Sequence, residues 1–173
     1  MGQVTLENHE VLFAAQVGIS RRVKSMARER NTHNAIKNPN YGWHIDVEAA
    51  CAEMAFAKFL DVYWDASVDT FKRADVGDVQ VRSTSYDSGS LVFRNGDNID
   101  DKFALVTGRC PDFNVRGWAF GMTICVGKYA VTEDKKEKMG WPLGQSFWMM
   151  PQKDLESMQM LYKPVGTDLT AKT

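Results

Sequence analysis

The segment Asp75-Val-Gly-Asp-Val-Gln80-Val-Arg82-Ser-Thr84 sets an aspartate five residues ahead of an acceptor-x-cation triplet. Just upstream, the stretch from Asp46 to Leu60 carries two glutamates, Glu48 and Glu53, among mostly apolar neighbours. If 79–86 is a strand, side chains alternate, so Gln80 and Arg82 share a face with Asp78 and Thr84. A helix carboxylate, a strand-edge carboxylate and an amide oxygen beside a guanidinium would suit one hard cation next to a phosphate. Mg²⁺ takes oxygen ligands, usually one or two carboxylates completed by waters and phosphate oxygens. The corresponding chemistry is phosphodiester hydrolysis, in which the metal activates a water and the cation stabilises the charge that develops. A structural reading stands beside it: a solvated strand face, with Arg82 paired to Glu53 as a buried ion pair.

These residues need a helix and a strand to hold them. Asp46 suits an N-cap, and the helix it opens runs to about Leu60 with apolar residues on nearly every side, as in a buried helix. Its alanines permit close approach to a sheet. A buried carboxylate is costly unless paired or metal-bound, so Glu48 and Glu53 each require a partner. Residues 5 to 29 read as a helix whose C-terminal half is basic (Arg21, Arg22, Lys24, Arg28), and 31–42 as a polar loop with Pro39 and Gly42. Strands are expected over 79–86 and 91–94, joined as a hairpin through Asp87-Ser-Gly89, then over 103–107 and 113–120 with Pro111 in the turn. Residues 131 to 139 are charged and read as helical, 147–150 as a short strand, and Asp154 as the cap of a last short helix. The order is that of an α+β domain, helices first and then a mostly antiparallel sheet.

The pattern resembles the PD-(D/E)xK nuclease superfamily. His44-Ile-Asp-Val-Glu48-Ala-Ala-Cys-Ala-Glu53-Met-Ala-Phe-Ala-Lys58 is similar to the first helix of phage-encoded members, and Asp75 to Thr84 to their metal motif. Phe103 to Gly108, Phe113 to Trp118 and Phe147 to Leu155 are similar to segments of uncharacterised phage proteins of this kind. The resemblance covers roughly residues 8 to 158. It implies a restriction-endonuclease-like core, Mg²⁺ or Mn²⁺ as cofactor and DNA as substrate. Glu53, or Glu48, would be the helix carboxylate, Asp75 (or Asp78) the metal-binding aspartate, Gln80 the second strand ligand and Arg82 the catalytic cation. Two departures from the pattern matter chemically. Gln80 offers a neutral carbonyl where an acid is usual, and Arg82 stays charged and so cannot transfer a proton at neutral pH.

At 173 residues the chain is long enough for one domain with a sizeable core, read as residues 1–163 followed by a flexible tail over 164–173. A net charge of −1 means that any grip on nucleic acid must come from a local patch, for which Arg21, Arg22, Lys24 and Arg28 are the candidates. Cys51, Cys110 and Cys125 have neither zinc spacing nor a disulfide framework, which fits a reducing cytoplasm such as that of an infected bacterial host. No signal peptide or membrane span is expected. His44 precedes the glutamate helix and is a weaker site candidate; Trp118, Trp141 and Trp148 could stack bases or pack the core. Three functions follow. The first is a metal-dependent phosphodiesterase acting on DNA, possible as a homodimer since two strands need two sites. The second is a non-cleaving nucleic-acid-binding or host-modulating protein on the same fold, with a host protein as partner. The third is a structural or assembly protein.

Overall fold

The structure, a computed structural model, describes residues 2–27, 39–68 and 73–161, leaving aside the side chains of 39–41. Its element order is β1 (Gly2–Thr5), α1 (Asn8–Ala27), α2 (Pro39–Leu60), β2 (Val79–Thr84), β3 (Leu91–Arg94), β4 (Lys102–Arg109), β5 (Asp112–Phe120), α3 (Gly121–Ile124), α4 (Glu133–Met139) and β6 (Phe147–Met150). Short 3₁₀ turns at Gly127–Tyr129, Gln152–Asp154 and Met158–Met160 complete it. The architecture is α+β.

Four strands form one mixed sheet in the order β1-β5-β4-β2. β1 and β4 run antiparallel to β5, while β2 runs parallel to β4 at the sheet edge. β4 is central and buried from Phe103 to Thr107, so its sequence is a continuous apolar run and not an alternation. β2 has one buried face, Val79 and Val81, and a half-buried polar face, Gln80 and Arg82.

α2 lies across one side of this sheet, in contact with β1, β2, β4 and β5, and α1 lies on α2. Ala50, Cys51, Ala52, Ala55, Phe56 and Ala57 are all but sealed from solvent and share a core with Val79, Val81, Ala104 and Val115. Small side chains let the helix sit close on the strands. α1 approaches as closely through Gly18, where an added Cβ would lie 2.6 Å from the Asp46 carbonyl oxygen and 2.6 Å from the Val47 Cα. The other side of the sheet carries a second core of Leu91, Phe93, Phe103, Leu105, Ala119, Ile124 and Met150, closed by the β3–β6 ribbon.

Several expectations are corrected here. Strands 79–86 and 91–94 are not a hairpin: β2 pairs with β4, and β3 pairs antiparallel with β6. Both strands alternate well enough to be partners, and alternation carries no information about which edge a strand joins. The glutamate helix begins at Pro39, so Asp46 lies within it and caps nothing. Proline is well suited to a helix's first turn, and a polar stretch with Gly42 does not prevent one. β1 takes residues that were expected to lie at or before the start of the first helix. Asp154 ends a 3₁₀ turn and binds Lys128 and the Tyr129 hydroxyl, while Ser157 caps the turn that follows. Residues 28–38 and the tail beyond Leu161 fall outside the described residues.

Candidate functional site

The site is built from α1, α2 and the segment leading into β2. Glu53 faces from the middle of α2 toward α1 and is 5% exposed. The Arg21 guanidinium grips it as a fork, Nη1 donating to Oε1 at 2.5 Å and Nη2 to Oε2 at 2.7 Å. Trp64 Nε1 donates to the same Oε2 at 3.3 Å. Arg21 is itself fixed by the Ser67 carbonyl, which accepts from Nε at 3.0 Å and from Nη2 at 2.9 Å. Ala66, just before it, holds a left-handed backbone conformation at φ 49°, uncommon for a residue with a Cβ and a strain that the surrounding contacts must hold.

Asp75 arrives from the other side. The chain doubles back through Asp75-Val76-Gly77-Asp78, with Val76 N–H donating to the Val79 carbonyl at 3.1 Å and Val79 N–H donating back at 2.9 Å. The reversal requires φ 60° at Gly77, which glycine adopts without strain. It sets the Asp75 side chain on the free edge of β2, where Oδ2 accepts the Val81 N–H at 2.8 Å. Among the described residues nothing donates to the other oxygen, Oδ1.

Glu53 and Asp75 are close enough to repel each other. Burial, above all, pushes the Glu53 carboxyl up to about 7; Asp75 adds to the rise, and the Arg21 and Trp64 hydrogen bonds oppose it. Burial likewise raises Asp75, against the Val81 N–H and the charges of Arg82 and Arg21. The result is a buried carboxyl, Glu53, and a half-buried one, Asp75, near the sheet edge, attended by guanidiniums from α1 and β2. Both acids therefore hold their protons more strongly than they would in water.

The remaining candidates are distributed otherwise. Gln80 and Arg82 emerge on the sheet face away from α2. Gln80 donates to Asp101 at 3.3 Å. Arg82 pairs with Asp97 at 2.9 Å and lies over the Phe103 ring, 5.1 Å from its centre. The expected Glu53–Arg82 pair is thus replaced by Glu53–Arg21 and Asp97–Arg82, because Glu53 lies on the side of the sheet covered by α2 and Arg82 points from the other face of β2. Arg82 still acts on Asp75 through its charge, from across the strand edge. Glu48 is turned to the β4–β5 turn, where its Oε2 accepts the Cys110 N–H at 3.1 Å. Asp78 binds Lys102 at 2.7 Å near the surface.

The basic face of α1 is largely committed to the interior. Arg21 holds Glu53, and Arg22 is 4% exposed, with Asp46 as a nearby countercharge and Gly42 leaving space for its guanidinium. Lys24 remains exposed, and Arg28 lies outside the described residues. His44 is exposed. Trp118 is buried and donates to the Ser157 carbonyl at 3.2 Å, while Trp141 packs on Phe147 and Trp148 on Phe93. Cys51 and Cys110, far apart in sequence, share a thiol hydrogen bond as free cysteines.

Arg21 and Trp64 were missed as partners of Glu53, and Ser67 as the acceptor that fixes Arg21. The signal available was the glutamate itself, which demanded a cation that no spacing rule could locate. Among the described residues no three His, Cys, Asp or Glu side chains are grouped as metal ligands, and no helix is long and apolar enough to cross a membrane. Comparison of the chain with protein-family models, with curated proteins and with solved structures gave no match.

Proposed function

We propose that the protein is a metal-dependent phosphodiesterase acting on DNA, with a PD-(D/E)xK-like site in which Asp75 and Glu53 hold Mg²⁺ or Mn²⁺. The observation that carries this reading is that Glu53, from a buried helix, lies near enough to Asp75, from the turn that leads into the strand bearing Arg82, for the two charges to repel. The donor set suits a hard cation: two carboxylates, one of them with an oxygen that accepts no hydrogen bond among the described residues, both held above their ordinary pKa by burial. A bound divalent ion would supply an activated water and a positive charge on the scissile phosphate. The chain's own part is positional. The Gly77 turn and the Val81 N–H aim Asp75, and Arg82, which leaves the opposite face of β2, would have to swing away from Asp97 and around the strand edge to meet a phosphate oxygen. For Glu53 to serve as a ligand, Arg21 must yield its fork. Gln80 is left out of the ligand set because it is directed at Asp101.

One observation favours a second reading, a non-cleaving nucleic-acid-binding or host-modulating protein on the same fold. Arg21 already neutralises Glu53, and Asp97 already neutralises Arg82, so each charge has a protein partner. The test is cleavage of labelled single-stranded and duplex DNA across a Mg²⁺ and Mn²⁺ titration, together with binding measured against salt. Metal-dependent cleavage supports the phosphodiesterase. Salt-dependent binding without cleavage supports the second reading, and the absence of both leaves a structural role.

A further inference from the structure

α1 is apolar on two opposite sides. Ala14, Val17 and Gly18 are buried toward α2. On the far side Leu12 is 67% exposed, Ile19 45%, Val23 53% and Met26 49%. At 3.6 residues per turn these four fall within an arc of about 60°, so they form one stripe down the helix. Leu12 to Met26 spans about 21 Å at 1.5 Å per residue. A continuous apolar stripe of this kind marks an interaction surface more often than an ordinary solvated face.

The spacing identifies the occupant. The stripe reads the same in both directions about Ile19: Leu12 and Met26 lie seven residues to either side, and Ala15 and Val23 lie four. We infer that α1 pairs antiparallel with α1 of a second copy of this chain, about a two-fold axis at Ile19. In that register Leu12 meets the partner's Met26, small Ala15 meets the partner's Val23, and Ile19 meets its own counterpart. This is the self-complementary contact that a two-fold dimer requires. Antiparallel helices also set their dipoles head to tail. α1 rests on α2 and on the segment around Trp64 and Ser67 that follows it, on the side away from the stripe, so pairing leaves the sheet and its edges untouched. The stripe supplies on the order of half the area per partner of a standard interface, which makes the dimer a weak, reversible one. The inference is independent of the phosphodiesterase reading, since it uses no residue of that site.

Sedimentation velocity across a concentration series, from about 1 to 200 μM so that a weak dimer is populated at the upper end, tests it on the full chain. The expected result is a shift from one to two chain masses for the wild type. Ile19→Glu should abolish the shift, and Lys24→Glu, exposed but off the stripe, should preserve it. Circular dichroism of Ile19→Glu must match the wild type; if that variant misfolds, Leu12→Gln with Met26→Gln replaces it. Ile19→Cys should in addition yield a disulfide-linked dimer on mild oxidation, and Lys24→Cys should not. A wild type that stays at one mass throughout overturns the inference, whether the stripe then proves to serve the chain's own tail or a lipid vesicle. A dimer unaffected by the stripe variants overturns it equally.

Discussion

Arg21 holds both carboxylate oxygens of Glu53, at 2.5 and 2.7 Å, inside the interface between α1 and α2. Removing one partner of a buried pair leaves an uncompensated charge, which typically costs about 3 kcal/mol. Arg21→Met is therefore expected to lower stability by about that much in urea unfolding near neutral pH. Glu53→Gln should cost less, because it leaves the stranded charge on Arg21, whose side chain is the more exposed of the two. The double variant Arg21→Met with Glu53→Met should recover most of the loss, since an apolar pair of similar volume replaces the ion pair. A double variant as unstable as the sum of the singles would deny that the two residues act as a unit.

The same fork competes with any cation for Glu53. Arg21→Met should therefore raise Mg²⁺ affinity, by about tenfold if the fork withholds about 1.4 kcal/mol from the ion. Calorimetric titration of the wild type and the variant reads this directly. Weaker binding in the variant would mean that Arg21 organises the site and does not occlude it.

Stability should depend on pH through Glu53. Its folded-state pKa, about 7, lies above the ordinary 4.5, so the folded protein binds the extra proton between those values. Stability from this source is fully present below about pH 4.5 and is lost as pH rises through about 7. Asp75, also raised, acts in the same direction. Urea midpoints measured in that window should fall with rising pH in the wild type and flatten in Glu53→Gln. Since a metal binds the deprotonated carboxyls, Mg²⁺ affinity should rise over the same window.

Gly18 sets how closely α1 approaches α2. An added Cβ would meet backbone of Asp46 and Val47 at 2.6 Å, and backbone cannot swing aside as a flexible side chain can. Gly18→Ala is expected to cost about 2 kcal/mol by overpacking, despite alanine's better helix propensity. Because the forced shift also moves Arg21, the variant should lose part of the fork that holds the Glu53 pKa down, visible as a stronger pH dependence of its unfolding. A neutral or stabilising Gly18→Ala would show that the helices can separate freely.

Much of this arrangement was legible in the sequence. The α+β order, the buried character of 47–60, and the demand of Glu53 for a partner follow from periodicity and from the cost of a buried charge. The partners themselves were not legible. Arg21 looked like surface charge because a basic helix end is usually solvated, and only the packing of α1 on α2 turns it inward. The alternation of β2 correctly put Gln80 and Arg82 on one face. It could not show that α2 would cover the opposite face, which is why Arg82 meets Asp97 and Gln80 meets Asp101. Strand partnership failed at 79–94 for a related reason: β2 joins a strand that follows β3, and local signals favour the nearest neighbour. The symmetry of the α1 stripe was present in the sequence from the start, but its exposure depended on knowing which side α2 occupies.

Gln80→Glu distinguishes the proposed ligand set from the one the resemblance implies. Gln80 faces Asp101, so a glutamate there would place two carboxylates together and should lower stability by about 1 kcal/mol at neutral pH. Mg²⁺ affinity should stay unchanged if the ion is held by Glu53 and Asp75 alone. A clear tightening would return Gln80 to the site and require its side chain to leave Asp101.

The most direct measurement is Mg²⁺-dependent cleavage of labelled DNA by the wild type and by Asp75→Ala, with circular dichroism and calorimetric Mg²⁺ titration on the same samples. The expected result is cleavage and saturable Mg²⁺ binding in the wild type. In Asp75→Ala both should be lost while the fold persists, because that side chain supplies a ligand and only one hydrogen bond to the strand edge. Mg²⁺ binding and cleavage that survive in a folded Asp75→Ala, or a wild type that neither binds Mg²⁺ nor cuts DNA, would contradict a metal-dependent phosphodiesterase site at Glu53 and Asp75.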